Sequence, residues 1–489
     1  MEKKNYIVGI DIGSSNVVMI VGSKNEAGEI VVDAIVSKPT QGVVAGKIDN
    51  INLVSDCVKD AKAEIEEELG IRISEAYAGF SGAFVRSAPH SDHVYVRDPK
   101  NGISQFDVDA LFLRMKEVLA PDNEVIIDRV PQNFVVDGGR EVKDPVGSFG
   151  RSLSSTFNFI LCEKTPLERL NMVFRLSGLQ LVGSYANSMI ISDAVLSADE
   201  KNDGVAVVDL GGGTTDVVVY HGNVIRHIAT IPMGANSINR DIHLHGIPER
   251  SVESLKKKYG SAIAEFVSEQ KLIQIPSMGN RTKGVLRRNL AAIIEARLTD
   301  IAEYVKAEIK DSGYSGRLSC GIVLTGGSAS IEHIDELFRR VTGFEVRVAT
   351  AEYGLDEQSR NQVESPAHSA AVALLLKGAE QGLCSVSVRI TPPKFPQPPQ
   401  PPQYTKPQTP QPPKPVTPPT PEPINTQTNG NDGFKFGVNE RNNDSDNLDT
   451  TSSSGQKTEE KSGWFSNALK RFTDGINRTF DGSGDDDEI

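Results

Sequence analysis

Ile7-Val-Gly-Ile-Asp-Ile-Gly-Ser-Ser-Asn16 and Val205-Ala-Val-Val-Asp-Leu-Gly-Gly-Gly-Thr-Thr-Asp216 carry one pattern twice: an apolar strand, Asp, Gly, a small polar turn and an apolar return. The returns are Val17-Val-Met-Ile-Val-Gly22 and Val217-Val-Val-Tyr-His-Gly222. One such unit reads as a tight glycine hairpin. Two of them predict a chain built as two similar halves, with two loops turned towards one ligand. A buried strand ending in Asp puts a carboxylate at its carboxyl end, the edge where α/β sheets usually bind ligands. Glycine lets backbone N–H groups approach an anion with no Cβ in the way. The candidate phosphate-binding positions are Gly13, Ser14, Ser15 and Asn16 in the first loop, and Gly211, Gly212, Gly213, Thr214 and Thr215 in the second. Asp11 and Asp209 would repel phosphate directly. They are expected to hold Mg²⁺ through water, because magnesium keeps several waters and takes one or two carboxylates.

A third stretch, Gly321-Ile-Val-Leu-Thr-Gly-Gly-Ser-Ala329, again runs a buried strand into a double glycine, ahead of a helix-like segment at 331–341. Gly326, Gly327 and Ser328 suit close approach of an adenine or a phosphate. No Gly-x-x-x-x-Gly-Lys-Ser/Thr stands near a strand, and no Gly-x-Gly-x-x-Gly of dinucleotide-binding type occurs. With the three stretches in this order, the chain resembles the actin-like ATPase superfamily. That resemblance implies an α/β, duplicated, ribonuclease H-like fold with ATP in the cleft.

Composition narrows the function classes. The chain of 489 residues has room for about three domains by size. Its net charge of −13 argues against a nucleic-acid partner, which calls for a basic face. Cys57, Cys162, Cys320 and Cys384 stand far apart, without a Cys-x-x-Cys pair, and read as reduced thiols rather than disulfides or zinc ligands. His227, His243 and His245 have no Cys or acidic partner at metal-ligand spacing, and His90 and His93 read as surface positions on a strand. The few apolar residues before Asp11 are expected to be the first core strand, too short for a signal peptide or a membrane span.

Organisation changes near residue 390. Before it, strand and helix patterns alternate; Leu53, Val54, Cys57, Val58, Ala61, Ile65 and Leu69 recur at helical spacing until Gly70. Residues 391–423 are dominated by Pro, Gln and Thr, and 424–460 by Asn, Asp, Ser, Thr and Gly. Neither stretch can bury enough apolar surface to offset the entropy of ordering, so 391–460 is expected to be a disordered linker. Beyond it, residues 461–480 place Trp464, Phe465, Ala468, Leu469, Phe472, Ile476 and Phe480 on one helical face, with Lys470 and Arg471 beside it. An aromatic face next to basic residues is the composition of an amphipathic helix lying in a membrane interface, with anionic lipid as its partner. Docking onto the protein's own body or onto a partner protein is the competing reading, and a long tether opposes docking onto the body. Gly475 and the acidic tail at 481–489 count against the membrane reading.

An actin-like body, a linker and a terminal amphipathic helix together resemble the bacterial cell-division FtsA family. Val130-Pro-Gln-Asn-Phe-Val-Val-Asp137 followed by Asp144-Pro-Val-Gly-Ser-Phe-Gly150 is similar to that family's signature in an inserted subdomain, 1C. The resemblance implies subdomain 1A at 1–76 and 163–200, 1C at 77–162, and 2A and 2B at 201–390. It further implies self-assembly into filaments through 1C and 2B surfaces. Ile231-Pro-Met-Gly-Ala-Asn-Ser-Ile-Asn-Arg-Asp241 resembles the family segment after the second loop, which adds Gly234 to the nucleotide site. Val252-Glu-Ser-Leu-Lys-Lys-Lys-Tyr-Gly260 matches a Glu-x-x-Lys helix, and implies that Glu253 and Lys256 meet the ribose and adenine; an exposed ion pair one turn apart is the plainer alternative. The segment from Arg287 to Arg297 resembles a helix that lines the surface receiving the C-terminal tail of the tubulin-like FtsZ. The implied protein tethers the FtsZ ring to the inner face of the cytoplasmic membrane at the division site and helps recruit later division proteins.

Actin-like ATPases that turn over well orient the attacking water with Gln or Glu between the two loops. The comparable stretch here offers Asn187, Ser188 and Asp193 instead. Tight ATP binding with slow or negligible hydrolysis is therefore expected, and no catalytic residue is assigned. A pilus-assembly actin homologue, or a small-molecule kinase or phosphatase of the same fold, is the alternative; neither needs an aromatic helix on a long tether.

Overall fold

The computed structural model describes residues 5–388, apart from 269, 277–281 and 383. The linker, the helix at 461–480 with its membrane-facing residues, and the acidic tail lie outside the described residues.

Two five-stranded sheets share one topology. In the first, the strand order is Gln180–Ala186, Glu75–Phe80, Tyr6–Ile12, Asn16–Lys24, Ile30–Pro39. In the second, reversed in listing, it is Val224–Ile231, Thr215–His221, Val205–Leu210, Ile322–Thr325, Val346–Val348. Each sheet is a three-strand antiparallel meander that starts at an Asp-bearing strand, with two parallel strands added on that strand's other side. The hairpin turns match as well. The Gly13 N–H donates to the Asn16 carbonyl at 3.0 Å, and the Gly211 N–H to the Thr214 carbonyl at 2.9 Å. The duplication expected from the two stretches is present strand by strand.

The central strands are buried on both faces, which explains their unbroken apolar runs. Ile7, Val8 and Ile10 are inaccessible to solvent, as are Ala206, Val207 and Val208. Helix Ile51–Leu69 begins where Asn50 accepts the N–H groups of Asn52 and Leu53 and stops at Gly70, whose φ of 67° favours glycine. It buries Val54, Val58, Ala61 and Ile65 against the first sheet; Leu53 and Leu69 fall outside that stripe, and Leu53 is exposed.

The boundary expected at residue 390 for the second half is corrected by the structure. Helix Ser369–Gln381 packs on strand Tyr6–Ile12 of the first sheet, and strand Val386–Val388 pairs with Ile71–Ile73. The C-terminal segment thus returns to close the first half. Small residues make the approach possible: a Cβ on Gly378 would lie 2.6 Å from Ile7 Cγ2. The expected start of the insert, residue 77, falls inside strand Glu75–Phe80, which pairs with Tyr6–Ile12.

Between Phe80 and Lys164 lies a separate four-stranded antiparallel sheet, ordered Glu141–Val142, Glu124–Val136, Ser152–Glu163, Val85–Tyr95, with helix Gln105–Glu117 packed on it. Leu111, Met115, Leu153 and Phe157 form its core. Ser104 caps the helix, and Asp107 answers by accepting the Ser104 N–H at 2.9 Å and the Arg97 N–H at 2.8 Å. The insert rests on strand Val224–Ile231 of the second sheet. Asn158 donates to the Arg226 carbonyl at 2.8 Å and Gln132 to the Ile225 carbonyl at 3.1 Å.

Candidate nucleotide site

The two hairpin loops face each other across a cleft of about 540 Å³. Asp11, Gly13, Ser14, Ser15, Asn16, Asp209, Gly211, Gly212, Thr214, Glu253, Lys256, Gly326, Gly327 and Ser328 line it. Residues from four distant parts of the chain therefore meet in one cavity. Gly213, Thr215 and Gly234 do not line it. The Thr215 hydroxyl is fully buried and donates to the Met233 carbonyl at 2.8 Å, so it turns away from the cleft. Adjacent residues on a strand point to opposite faces, and Thr214 already occupies the cleft side. A Cβ on Gly234 would lie 2.6 and 2.7 Å from the Gly211 and Gly212 carbonyls, so this glycine permits tight backing of the second loop.

The loops also touch each other. A Cβ on Gly213 would come within 2.5 Å of Ser14 Oγ. Ser14 Oγ accepts the Gly46 N–H at 2.9 Å, and Ser15 Oγ donates to Asn236 Oδ1 at 3.1 Å. The third glycine pair seals the floor: Gly326 has φ 85°, and a Cβ there would lie 2.1 Å from Asp209 Oδ1. Ser328 donates to the Gly211 carbonyl at 3.1 Å.

Three carboxyl groups cluster at the base: Asp209 and Asp216 are buried, and Asp11 is half-buried. Burial pushes Asp11 up to about 6, against a hydrogen bond from Asn187 and with added repulsion from Asp216. Burial likewise raises Asp216 to about 6, opposed by hydroxyl bonds from Ser81 and Thr230. Asp209 is pushed well above the usual carboxylate range by burial, and then by Asp216 and Asp11. Charge of one sign confined in this way favours a cation. No group of three His, Cys, Asp or Glu among the described residues could hold a metal by itself. One or two carboxylates at the floor of an open cleft nevertheless match the donor set of Mg²⁺, which keeps most of its water.

Asn187, offered by the sequence without a role, is 4% exposed and donates from Nδ2 to Asp11 Oδ1 at 2.8 Å. Its Oδ1 is buried without a hydrogen-bond partner. A hydrogen bond to a charged group contributes about 1.5–3 kcal/mol. Asn187→Ala is accordingly expected to weaken Mg·ATP binding about tenfold, about 1.4 kcal/mol, by letting the Asp11 pKa climb further. Calorimetric titration at pH 7 checks this. Ser188 is buried, and Asp193 forms an ion pair with Lys201 at 2.6 Å rather than facing the cleft. Asp216 and Ser81 are not singled out by sequence reasoning: Asp216 closes the second motif, but its bond from Ser81 joins residues 135 positions apart.

On the opposite wall, Lys256 is 6% exposed and meets Glu253 at 2.8 Å. Asn239 Nδ2 donates to the same Glu253 oxygen at 2.7 Å. Burial pulls the Lys256 ammonium below the usual lysine range, against the attraction of Glu253. Burial also pushes Glu253 upwards, but Lys256, Asn239 and Lys257 outweigh it and its pKa falls. Lys256 is thus built into the cleft wall, while Glu253, with 47% of its side chain exposed, stays open to solvent.

Arg287 and Arg297 lie ten positions apart on helix Arg287–Asp311, and both are engaged internally. Arg287 pairs with Glu332 and donates to the Tyr259 carbonyl at 2.9 Å. Arg297 pairs with Asp241 at 2.7 Å and Asp300 at 3.1 Å. His227 pairs with Glu308, while His243 and His245 bond to the Ile247 and Asp241 carbonyls. All four cysteines are free, as expected.

Two related sheets with opposed hairpin loops and an acidic cleft floor define an actin-like ATPase fold. The PilM–PilN type IV pilus biogenesis complex shares it, with a TM-score of 0.53 and 14% identity, over 76% of this chain and 98% of that one. Residues 206–373 match the family model of the cell division protein FtsA, and residues 82–161 match that of the SHS2 domain inserted in FtsA. The Cell division protein FtsA of Pseudomonas aeruginosa is 30% identical over 395 residues, covering 80% of this chain and 93% of the relative. That of Escherichia coli K12 is 29% identical over 402 residues, covering 79% and 94%. That of Bacillus subtilis is 30% identical over 356 residues, covering 72% and 80%. The chain belongs to the FtsA family of cell division proteins. No helix among the described residues is long and apolar enough to cross a membrane.

Proposed function

We propose that this chain is a nucleotide-gated membrane tether for the division ring. Mg·ATP occupies the cleft, loaded protomers assemble through the insert and the 2B surface, the helix at 461–480 binds anionic lipid at the inner face of the cytoplasmic membrane, and the body receives the FtsZ C-terminal tail. The observation that supports the nucleotide part is the meeting of two equivalent glycine loops over the Asp11 and Asp209 carboxyl groups. Asp11 and Asp209 would hold the metal through its waters, and the metal would supply positive charge against the phosphates. The glycine amides and the Ser14, Ser15 and Thr214 hydroxyls would bind phosphate oxygens. Glu253 and Lys256 would fix the ribose and base, and Gly326 and Gly327 would admit the adenine.

Where actin-like ATPases that turn over well orient the attacking water with Gln or Glu, the stretch at 183–196 carries neither: Asn187 donates its amide to Asp11, and Asp193 pairs with Lys201. Slow or negligible hydrolysis follows from that chemistry. The nucleotide then acts as a structural ligand that closes the cleft.

The tether is tested by removing residues 461–489 and measuring co-sedimentation with anionic liposomes in Mg·ATP. Burying apolar side chains contributes about 1.5–3 kcal/mol each at full burial, and less in an interface. One helix binds reversibly, whereas many on a polymer bind by avidity. Loss of nearly all bound protein is expected. Unchanged binding would sink the tether reading.

A further inference from the structure

Ser81 stands immediately before the inserted domain, and its side chain reaches the cleft wall. Its hydroxyl donates to Asp216 Oδ2 and lies 2.9 Å from Thr214 Oγ1 of the second loop. The other Asp216 oxygen accepts from Thr230. Thr230 belongs to strand Val224–Ile231, on which the insert rests through Asn158, Gln132 and a 3.2 Å bond from Ser87 Oγ to the Ile228 carbonyl. One buried carboxylate therefore holds both the root of the insert and its seat. The first loop touches the same root: a Cβ on Gly46 would lie 1.9 Å from the Ser81 carbonyl, and the Gly46 N–H is bonded to Ser14 Oγ.

Counting protons shows what a phosphate does here. A carboxylate only accepts, and each hydroxyl has one O–H to give. Ser81 and Thr230 direct theirs to Asp216, so the Ser81–Thr214 bond requires the Thr214 proton. A phosphate oxygen in the second loop is a further acceptor for that proton, with no further donor among these three hydroxyls. If Thr214 turns to the phosphate, Ser81 loses its donor. If Ser81 turns to Thr214 instead, Asp216 loses one. Either way, one bond at the root of the insert is given up.

Resting on the nucleotide reading above, we propose that Ser81 and Asp216 are positioning residues of this site that report occupancy of the second phosphate loop to the inserted domain. Loading loosens the root of the insert and shifts it on strand Val224–Ile231.

Hydrogen exchange on the full chain, with and without Mg·ATP, tests this in the wild type, Thr230→Val and Ser81→Ala. In the wild type, nucleotide is expected to protect the loop at 211–214 and to raise exchange several-fold in insert segments 85–95 and 124–136. Thr230→Val is expected to keep the loop protection and lose the nucleotide-dependent change in the insert; Thr230→Ser restores that change. Ser81→Ala is expected to lose the insert response as well. The proposal is overturned if both variants keep the wild-type insert response. It is equally overturned if they shift insert exchange by the same amount with and without nucleotide, as a purely structural role requires. A wild type whose loop is protected while its insert is silent refutes this proposal alone. A wild type whose loop is not protected refutes the nucleotide reading itself.

Discussion

Gly212→Ala is expected to lower nucleotide affinity by up to about a hundredfold while the sheets stay folded. A Cβ at this position would lie 2.0 Å from Ser15 Oγ and 2.8 Å from Ser15 Cβ, so the two loops must separate. Ser15 cannot swing aside freely, because its hydroxyl is bonded to Asn236. Both loops have to reach one phosphate chain, and their spacing is what the substitution changes. Overpacking costs about 1–3 kcal/mol, and about 2.8 kcal/mol corresponds to a hundredfold in affinity. Gly316→Ala is the control: no atom lies within 4 Å of a Cβ there. Titration with a fluorescent ATP analogue should separate the two variants, and equal affinities would refute the shared-phosphate geometry.

The second large effect concerns the acidic floor of the cleft without ligand. Asp11 and Asp216 are raised from 3.8 to about 6, and Asp209 is raised further in the same direction. A carboxyl whose pKa is raised on folding favours the folded state fully below its unfolded pKa, and that contribution is lost as pH rises through the folded value. The window here runs from about pH 4 to above pH 6. For a single group, a rise from 3.8 to about 6 corresponds to roughly 3 kcal/mol. Asp209→Asn removes one of the three charges and is expected to stabilise the protein in EDTA at pH 8, by a few kcal/mol, and to change little at pH 5. Mg²⁺ with nucleotide should stabilise the wild type more at pH 8 than at pH 5. Thermal melts of both proteins at the two pH values measure each difference. A variant no more stable than the wild type at pH 8 would count against the buried-charge account.

The two predictions draw on features of different visibility. Gly212 and Asp209 are legible because the chemistry is contiguous: a strand-ending Asp and the glycines of its turn lie within a few residues. The same holds for Gly326 and for the Glu253–Lys256 pair, whose one-turn spacing brings the two side chains together. Thr215 was legible only as a hydroxyl; which face of the strand it takes depends on where the register starts. The return of helix Ser369–Gln381 to the first sheet leaves no local mark, since its Ala- and Leu-rich sequence would suit any buried helix.

By itself, the sequence determined the duplicated architecture and the positions of the two glycine loops, and made the case for a tethered amphipathic helix at Trp464. These are written in short-range order, because strand, turn and helix periodicities are properties of neighbouring residues. Only the tertiary structure decided that Asp11, Asp209 and Asp216 lie close enough to repel one another, that Asn187 holds Asp11, and that Ser81 joins the insert to the second loop. Burial and through-space hydrogen bonds set those relations, and the paired residues are as far apart as Asp11 and Asn187 in the chain.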